Sequence, residues 1–199
     1  MIINPDDLTV KENYKLMTGS ILPRPIALVS TVSKDGIFNI APFSYFSGIC
    51  SNPPTICFSP ARKAQGTMKK DTQVNIEDTG VFVVNMTTVS MREAMDICSR
   101  PFPPEVDEFK ESGFTPVDSV KIAAPRIKES PIQYECELRQ VIPVGREAAG
   151  GSFLVIGEIV MFHVADELIE NYRIDMEKLQ PLARLAGNTY CGLGEIIYG

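Results

Sequence analysis

Short blocks of β-branched and aromatic residues recur along this chain, parted by clusters of proline, glycine, asparagine and aspartate. Such blocks read as strands, and their punctuation as turns. Pro23-Arg24-Pro25 forces an extended entry into a strand over Ile26–Val32. Lys34-Asp35-Gly36 is a hairpin turn, and the chain returns as a second strand over Ile37–Phe46. Pro42 interrupts that strand and implies a bulge or an unpaired backbone position. Asn52-Pro53-Pro54 turns the chain into a third strand, Thr55–Ser59, and Val81–Met86 is a buried strand by composition. Two long strands, Ile132–Ile142 and Phe153–Val164, are joined through Gly145–Gly151.

Helical periodicity is brief. Thr9 followed by Glu12 is a capping box for a helix to Thr18, stopped by Gly19. Asp71 caps a helix to about Asp78 that Gly80 ends, and Ser90 with Glu93 opens another to Ile97. Shorter helices are predicted over Glu105–Ser112 and Asp175–Leu179; Ala61–Lys70 is a polar, basic loop, and Pro101–Pro104 a stiff one. Several strands with only short helices between them argue against an alternating βαβ sheet and for an antiparallel barrel or sandwich. No linker or repeat divides residues 1–199, so a single domain is expected.

The net charge of −6 argues against a nucleic-acid protein, although a local basic cluster can still hold an anion. No apolar stretch is long enough to span a membrane, and the first residues lack the basic and apolar regions of a signal peptide, so a cytoplasmic location is expected. Five cysteines in no CxxC pair suggest small core residues, with a reactive thiol conceivable at Cys50 or Cys98. The single histidine, His163, leaves little room for metal sites or Ser-His and Cys-His chemistry; it reads as a hydrogen-bonded strand residue or a contact for nicotinamide or substrate. Glu135 and Glu137 alternate onto one strand face and read as solvated.

No GxGxxG, GxxxxGK[ST], HExxH or GxSxG pattern occurs. What remains is a group of hydroxyl and basic residues around the first strands: Ser30, Thr31, Asn39, Ser44, Ser47 and Ser59, then Arg62, Lys63, Lys69, Lys70 and Thr72. Hydroxyls, cations and a helix N-terminus are what a phosphate needs; turn hydroxyls and a solvated basic loop are the plainer alternative. Backbone groups released around Pro42 could bond the edge of a planar heterocycle.

The run PRPIALVSTVSKDGIFNIAPFSYF, Pro23–Phe46, resembles the opening of the flavin reductase-like family in its flavoredoxin-like branch. Asn52-Pro53-Pro54, Lys70-Asp71-Thr72, Asn75-Ile76, Phe82–Asn85, Val106-Asp107-Glu108-Phe109, Pro125-Arg126, Glu135-Cys136 and Arg184–Gly187 continue the likeness. The resemblance implies a mainly β fold, a six-stranded antiparallel Greek-key split β-barrel with short peripheral helices. It also implies FMN as cofactor and a homodimer with sites near the subunit interface. By the same likeness the flavin ring lies against Asn39, Ala41, Pro42, Phe43, Ser44, Tyr45 and Phe46, with Ser30 and Thr31 beside it. The phosphate and ribityl chain meet Ser59, Arg62, Lys63, Lys70, Asp71 and Thr72, and Arg24, Arg184 and Tyr190 stand near. The implied activity is electron transfer from NADH or NADPH to flavin, oxygen or a redox partner protein. Many flavin reductases carry a histidine shortly before the C-terminus, where this chain has Gly187-Asn188-Thr189-Tyr190. An electron carrier without efficient nicotinamide turnover, and a non-redox flavin-binding module, are therefore the competing readings.

Overall fold

A computed structural model describes residues 1–63 and 69–199. Seven strands form one antiparallel sheet: β1 (Ala27–Val32), β2 (Phe38–Phe43), β3 (Phe46–Ser51), β4 (Pro54–Phe58), β5 (Val81–Met86), β6 (Ile132–Val144) and β7 (Ser152–Val164). Their order is β2-β1-β5-β6-β7-β4-β3. The two edge strands, β2 and β3, are thus neighbours in sequence, with only Ser44 and Tyr45 between them. The chain from Phe43 to Phe46 can span at most about 11 Å, so the sheet has to curl until its edges come together at that corner. Those edges share a corner and no ladder, which makes the closed sheet a split barrel.

The strand count exceeds the expected six: the expected second strand, Ile37–Phe46, ends at Phe43, and Phe46–Ser51 forms a further strand, β3, that the sequence pattern did not separate. Pro42 produces no bulge: the β1–β2 register runs unbroken from Ala27↔Phe43 to Val32↔Phe38. The Ile40 N–H points outward from this edge, to Glu108. Pro42, two residues on, occupies the next outward position, where a missing N–H costs no ladder bond.

β1 is buried on both faces, which explains its continuous apolar run. Ala27 and Val29 face the barrel interior with Phe43, Phe58, Phe82, Val84, Cys136 and Val155. Phe58 packs on Phe43 and Phe82 with ring centroids 4.9 and 5.6 Å apart, and burial of each such ring stabilises by about 1.5–3 kcal/mol. Gly157, at a register shift of β7, admits the Phe82 ring; a Cβ there would lie 2.4 Å from it. Leu28 and Ile40 point the other way, into a second core with Met91, Met95, Phe109 and Phe114.

Among the described residues five α-helices accompany the barrel: α1 (Val10–Ser20), α2 (Asp71–Thr79), α3 (Arg92–Cys98), α4 (Glu108–Ser112) and α5 (Met176–Leu179). The Thr9–Glu12 capping box forms as predicted. The Ser90–Glu93 box does not. Ser90 lies within a 3-10 turn, Val89–Met91, its hydroxyl engages Thr88, and α3 begins only at Arg92. Lys70, not Asp71, occupies the N-cap of α2, and no side chain among the described residues caps that end. A small three-stranded sheet, Arg24–Pro25 with Ala183–Arg184 with Tyr190–Cys191, closes one flank.

Glu135 corrects the expectation of a solvated carboxylate face. Its side chain is fully buried, accepts the N–H groups of Val120 and Lys121 at 2.7 Å each, and meets His163 Nε2 at 2.6 Å. Burial raises its pKa, but these three partners outweigh burial and hold the carboxyl below its ordinary value. Cys98 is likewise corrected as a reactive thiol: it is buried, and burial pushes its pKa up to about 12. No helix among the described residues is long and apolar enough to cross a membrane.

Candidate functional site

A cavity of about 950 Å³ opens along the free edge of β2. The N-terminus of α2, the end of α3 with its following loop, and the small three-stranded sheet complete its walls. Among the described residues, six cationic side chains line it (Arg24, Arg62, Lys63, Lys70, Arg100 and Arg184) against three carboxyls (Asp71, Asp96 and Glu108). A positive cavity in a chain of net charge −6 marks a place for an anion.

One end carries the strongest anion features. Arg62 is 8% exposed. Its N–H donates to the Gly151 carbonyl at 3.0 Å, and its guanidinium stacks on Phe153 at 4.2 Å from the ring centroid. Its nearest carboxylate, Glu147, is 4.0 Å away at the protein surface. The buried Nε has no hydrogen-bond partner among the described residues. A buried, unpaired charged donor is costly unless something occupies it. The same cavity is lined by Lys63, paired to Asp71 at 3.1 Å, and by the N-terminus of α2, whose first N–H groups and dipole attract negative charge. The expected basic loop falls in part on residues 64–68, outside the described residues.

The middle of the wall is a hydrogen-bonded relay centred on Asn39. Thr72 Oγ1 donates to Asn39 Oδ1 at 2.8 Å and Thr31 Oγ1 donates to it at 3.4 Å, while Asn75 donates to Thr31 at 3.0 Å. Asn39 Nδ2 donates to Glu108 Oε2 at 2.7 Å. The amide's orientation is therefore fixed from both sides, leaving one Nδ2 hydrogen free of these partners.

At the far end, Arg184 Nη1 donates to the Tyr190 hydroxyl at 2.6 Å, and that hydroxyl donates to Asp96 at 2.7 Å. Arg24 is buried, and its guanidinium donates to the carbonyls of Thr18, Ile21 and Leu185, each at 2.8 Å. It lines the cavity, but its donors chiefly tie α1 to the C-terminal segment.

Of the residues expected around a ligand, Arg24, Asn39, Ala41, Pro42, Ser44, Arg62, Lys63, Lys70, Asp71, Thr72, Arg184 and Tyr190 line this one cavity. Ser30, Thr31, Phe43, Tyr45, Phe46 and Ser59 stand behind its wall. Strand alternation puts Ser30 on the face opposite Thr31, where it donates to the Pro125 carbonyl. Thr31 acts only through Asn39, and Ser59 is spent on Ser152 and the Phe153 carbonyl. Phe43 and Phe46 pack with the barrel core, and Tyr45 sits in the corner between β2 and β3, where burial raises its pKa.

Residues 18–183 match the flavin reductase like domain. The chain belongs to that family. Among solved structures, nitrilotriacetate monooxygenase component B from Bacillus cereus is 43% identical, with a TM-score of 0.95, covering 100% of this chain and 98% of that one. The Pseudomonas fluorescens 2-nitrobenzoate 2-nitroreductase NbaA is 34% identical, with a TM-score of 0.88, covering 100% and 94%. Flavoredoxin of Desulfovibrio vulgaris (Miyazaki F) is 26% identical, with a TM-score of 0.74, covering 89% and 91%.

This flavin reductase-like chain also brings to the cavity residues that the sequence reading did not assign to it: Glu108, Asp96, Arg100 and Asn188. Glu108 is 6% exposed, and burial pushes its carboxyl up to about 7 from an ordinary 4.5. A raised folded pKa means the folded state holds the proton more tightly. The stability that goes with it is complete below pH 4.5 and is lost as pH rises to about 7. Glu108→Gln removes that loss. Urea unfolding is therefore expected to show the variant gaining about 2–3 kcal/mol on the wild type between pH 4.5 and 8. A difference that stays constant across that range contradicts the assignment.

Proposed function

We propose that the cavity binds FMN and that the protein is a flavin-dependent oxidoreductase taking electrons from NADH or NADPH. The observation that carries this reading is the buried Arg62 guanidinium, whose Nε has no hydrogen-bond partner among the described residues, in a cavity wall that also includes Lys63 and the start of α2. Together they form a place for the phosphate of an organic phosphate ester. The cavity volume of about 950 Å³ suits a nucleotide-sized ligand. Family membership indicates a flavin, and the phosphate end favours FMN over riboflavin.

In this reading Arg62 and Lys63 hold the phosphate, with the α2 N–H groups behind it. Asn39 offers a fixed amide hydrogen to the ring edge, and the Ala41–Ser44 wall supports the ring. Once bound, FMN supplies hydride and single-electron chemistry, so the chain itself needs no acid-base pair. The chain's part is to position, to exclude water and to set the local charge.

A second reading, an electron carrier without efficient nicotinamide turnover, has one observation in its favour. His163 lies outside the cavity wall and is bonded to Glu135, so no histidine lines the site. The test is anaerobic addition of NADH, then NADPH, to FMN-loaded protein, followed at the flavin absorbance bands. Rapid bleaching by either nucleotide supports the reductase and identifies its donor. Bleaching by dithionite alone supports the carrier. No retained flavin contradicts both.

The reading includes a homodimer. Val10, Tyr14, Met17 and Ile21 form an exposed apolar stripe on and just past α1, and β3 is an exposed strand along nearly its whole length. A second copy covers such surfaces. Light scattering is expected to give about twice the 21.9 kDa chain mass.

A further inference from the structure

We propose that Glu108 is a proton-linked positioning residue of the cavity: it orients Asn39 in both charge states, and it takes up a proton from solvent when an anion occupies the Arg62 end. This rests on the FMN reading above.

Glu108 is the first residue of α4, which is capped by the Asp107 side chain on the Phe109 N–H at 3.0 Å. One of its oxygens, Oε2, accepts both the Asn39 amide at 2.7 Å and the Ile40 N–H. No cation pairs with it directly among the described residues. The charged groups that act on it are Asp71 and Lys70 at the start of α2 and Asp107 on its own cap. The titratable neighbour from α3 is the Cys98 thiol, and the facing strand, β2, carries no ionisable side chain.

An ionised Glu108 is thus a nearly buried negative charge held by two N–H donors, on the wall of a cavity built for another negative charge. An arriving anion raises the cost of that charge. Taking up a proton relieves it, and the proton can sit on Oε1 while Oε2 keeps both donors. By linkage, the ligand then binds more tightly to the protonated form, and binding raises the carboxyl's affinity for its proton by the same factor.

Glu108→Gln is the neutral mimic, because its amide oxygen can accept the same two donors. FMN dissociation constants are measured by fluorescence quenching for wild type and variant from pH 5.5 to 8.5. The direct effect of FMN's own phosphate ionisation is common to both proteins, so the ratio of the two constants isolates what the Glu108 charge adds. The expected ratio, wild type over E108Q, is near one at pH 5.5 and rises to about fivefold or more at pH 8.5. A ratio that does not change with pH overturns the proposal and leaves the FMN reading standing. No FMN binding by either protein overturns both. If E108Q does not fold, carbon-13 NMR titrates the wild-type Glu108 carboxyl with and without saturating FMN. A midpoint that fails to move upward with FMN overturns the proposal.

Discussion

Replacing Arg62 with alanine is expected to weaken FMN binding about a hundredfold while changing riboflavin binding little. The guanidinium is buried and stacked on Phe153, and its Nε has no partner of its own among the described residues. A charge-assisted hydrogen bond to phosphate in such a setting is worth about 1.5–3 kcal/mol, and a hundredfold in affinity is about 2.7 kcal/mol. Riboflavin has no phosphate and so does not draw on this interaction. Arg62→Lys is expected to recover only part of the loss, because lysine keeps the charge but not the planar stack on Phe153. Equal losses for both ligands would mean that Arg62 shapes the cavity without holding the phosphate.

Arg24→Met is expected to cost about 3–5 kcal/mol of stability in urea unfolding. The substitution leaves the carbonyls of Thr18, Ile21 and Leu185 without their donor, at about 1–3 kcal/mol for each one that water cannot reach. Thr18 and Ile21 end α1, and Leu185 follows the strand that carries Arg184 to the cavity. The same substitution therefore loosens one wall of the site, and FMN affinity should fall with stability. Unchanged stability with lost FMN binding would instead make Arg24 a direct ligand contact.

The barrel was legible where burial leaves a local mark. β1 reads as a strand because both its faces are covered, and Lys34-Asp35-Gly36 reads as a turn because Gly36 adopts a φ of 80°. Helix starts were less legible, because several hydroxyls and carboxyls compete for the same capping role. Thr9 caps α1, but Ser90 turns its hydroxyl to Thr88, and Asp71 lies within the first turn of α2 rather than before it.

The cavity divides in the same way. Asn39 and the Lys70–Thr72 turn come from segments whose motifs carry the likeness, Arg62 and Lys63 from the basic loop between them, and all of them line the one cavity. Glu108, Asp96 and Arg100 reach the site only because α3 and α4 pack across β2 through Met95, Phe109 and Ile40. That packing is long-range, and no local periodicity announces it. The Val106–Phe109 motif did belong to the resemblance, so a carboxyl just inside a short helix was the available signal. Glu135 shows the opposite failure. Alternation placed it on a strand face, but only the 118–124 segment folded over that face makes the carboxyl fully buried.

The most direct test is a crystal structure of the protein grown with FMN. The phosphate is expected within about 3 Å of the Arg62 guanidinium, with the ring along the Asn39–Ser44 edge of β2. A phosphate bound elsewhere, with the Arg62 guanidinium still untouched, would contradict that placement.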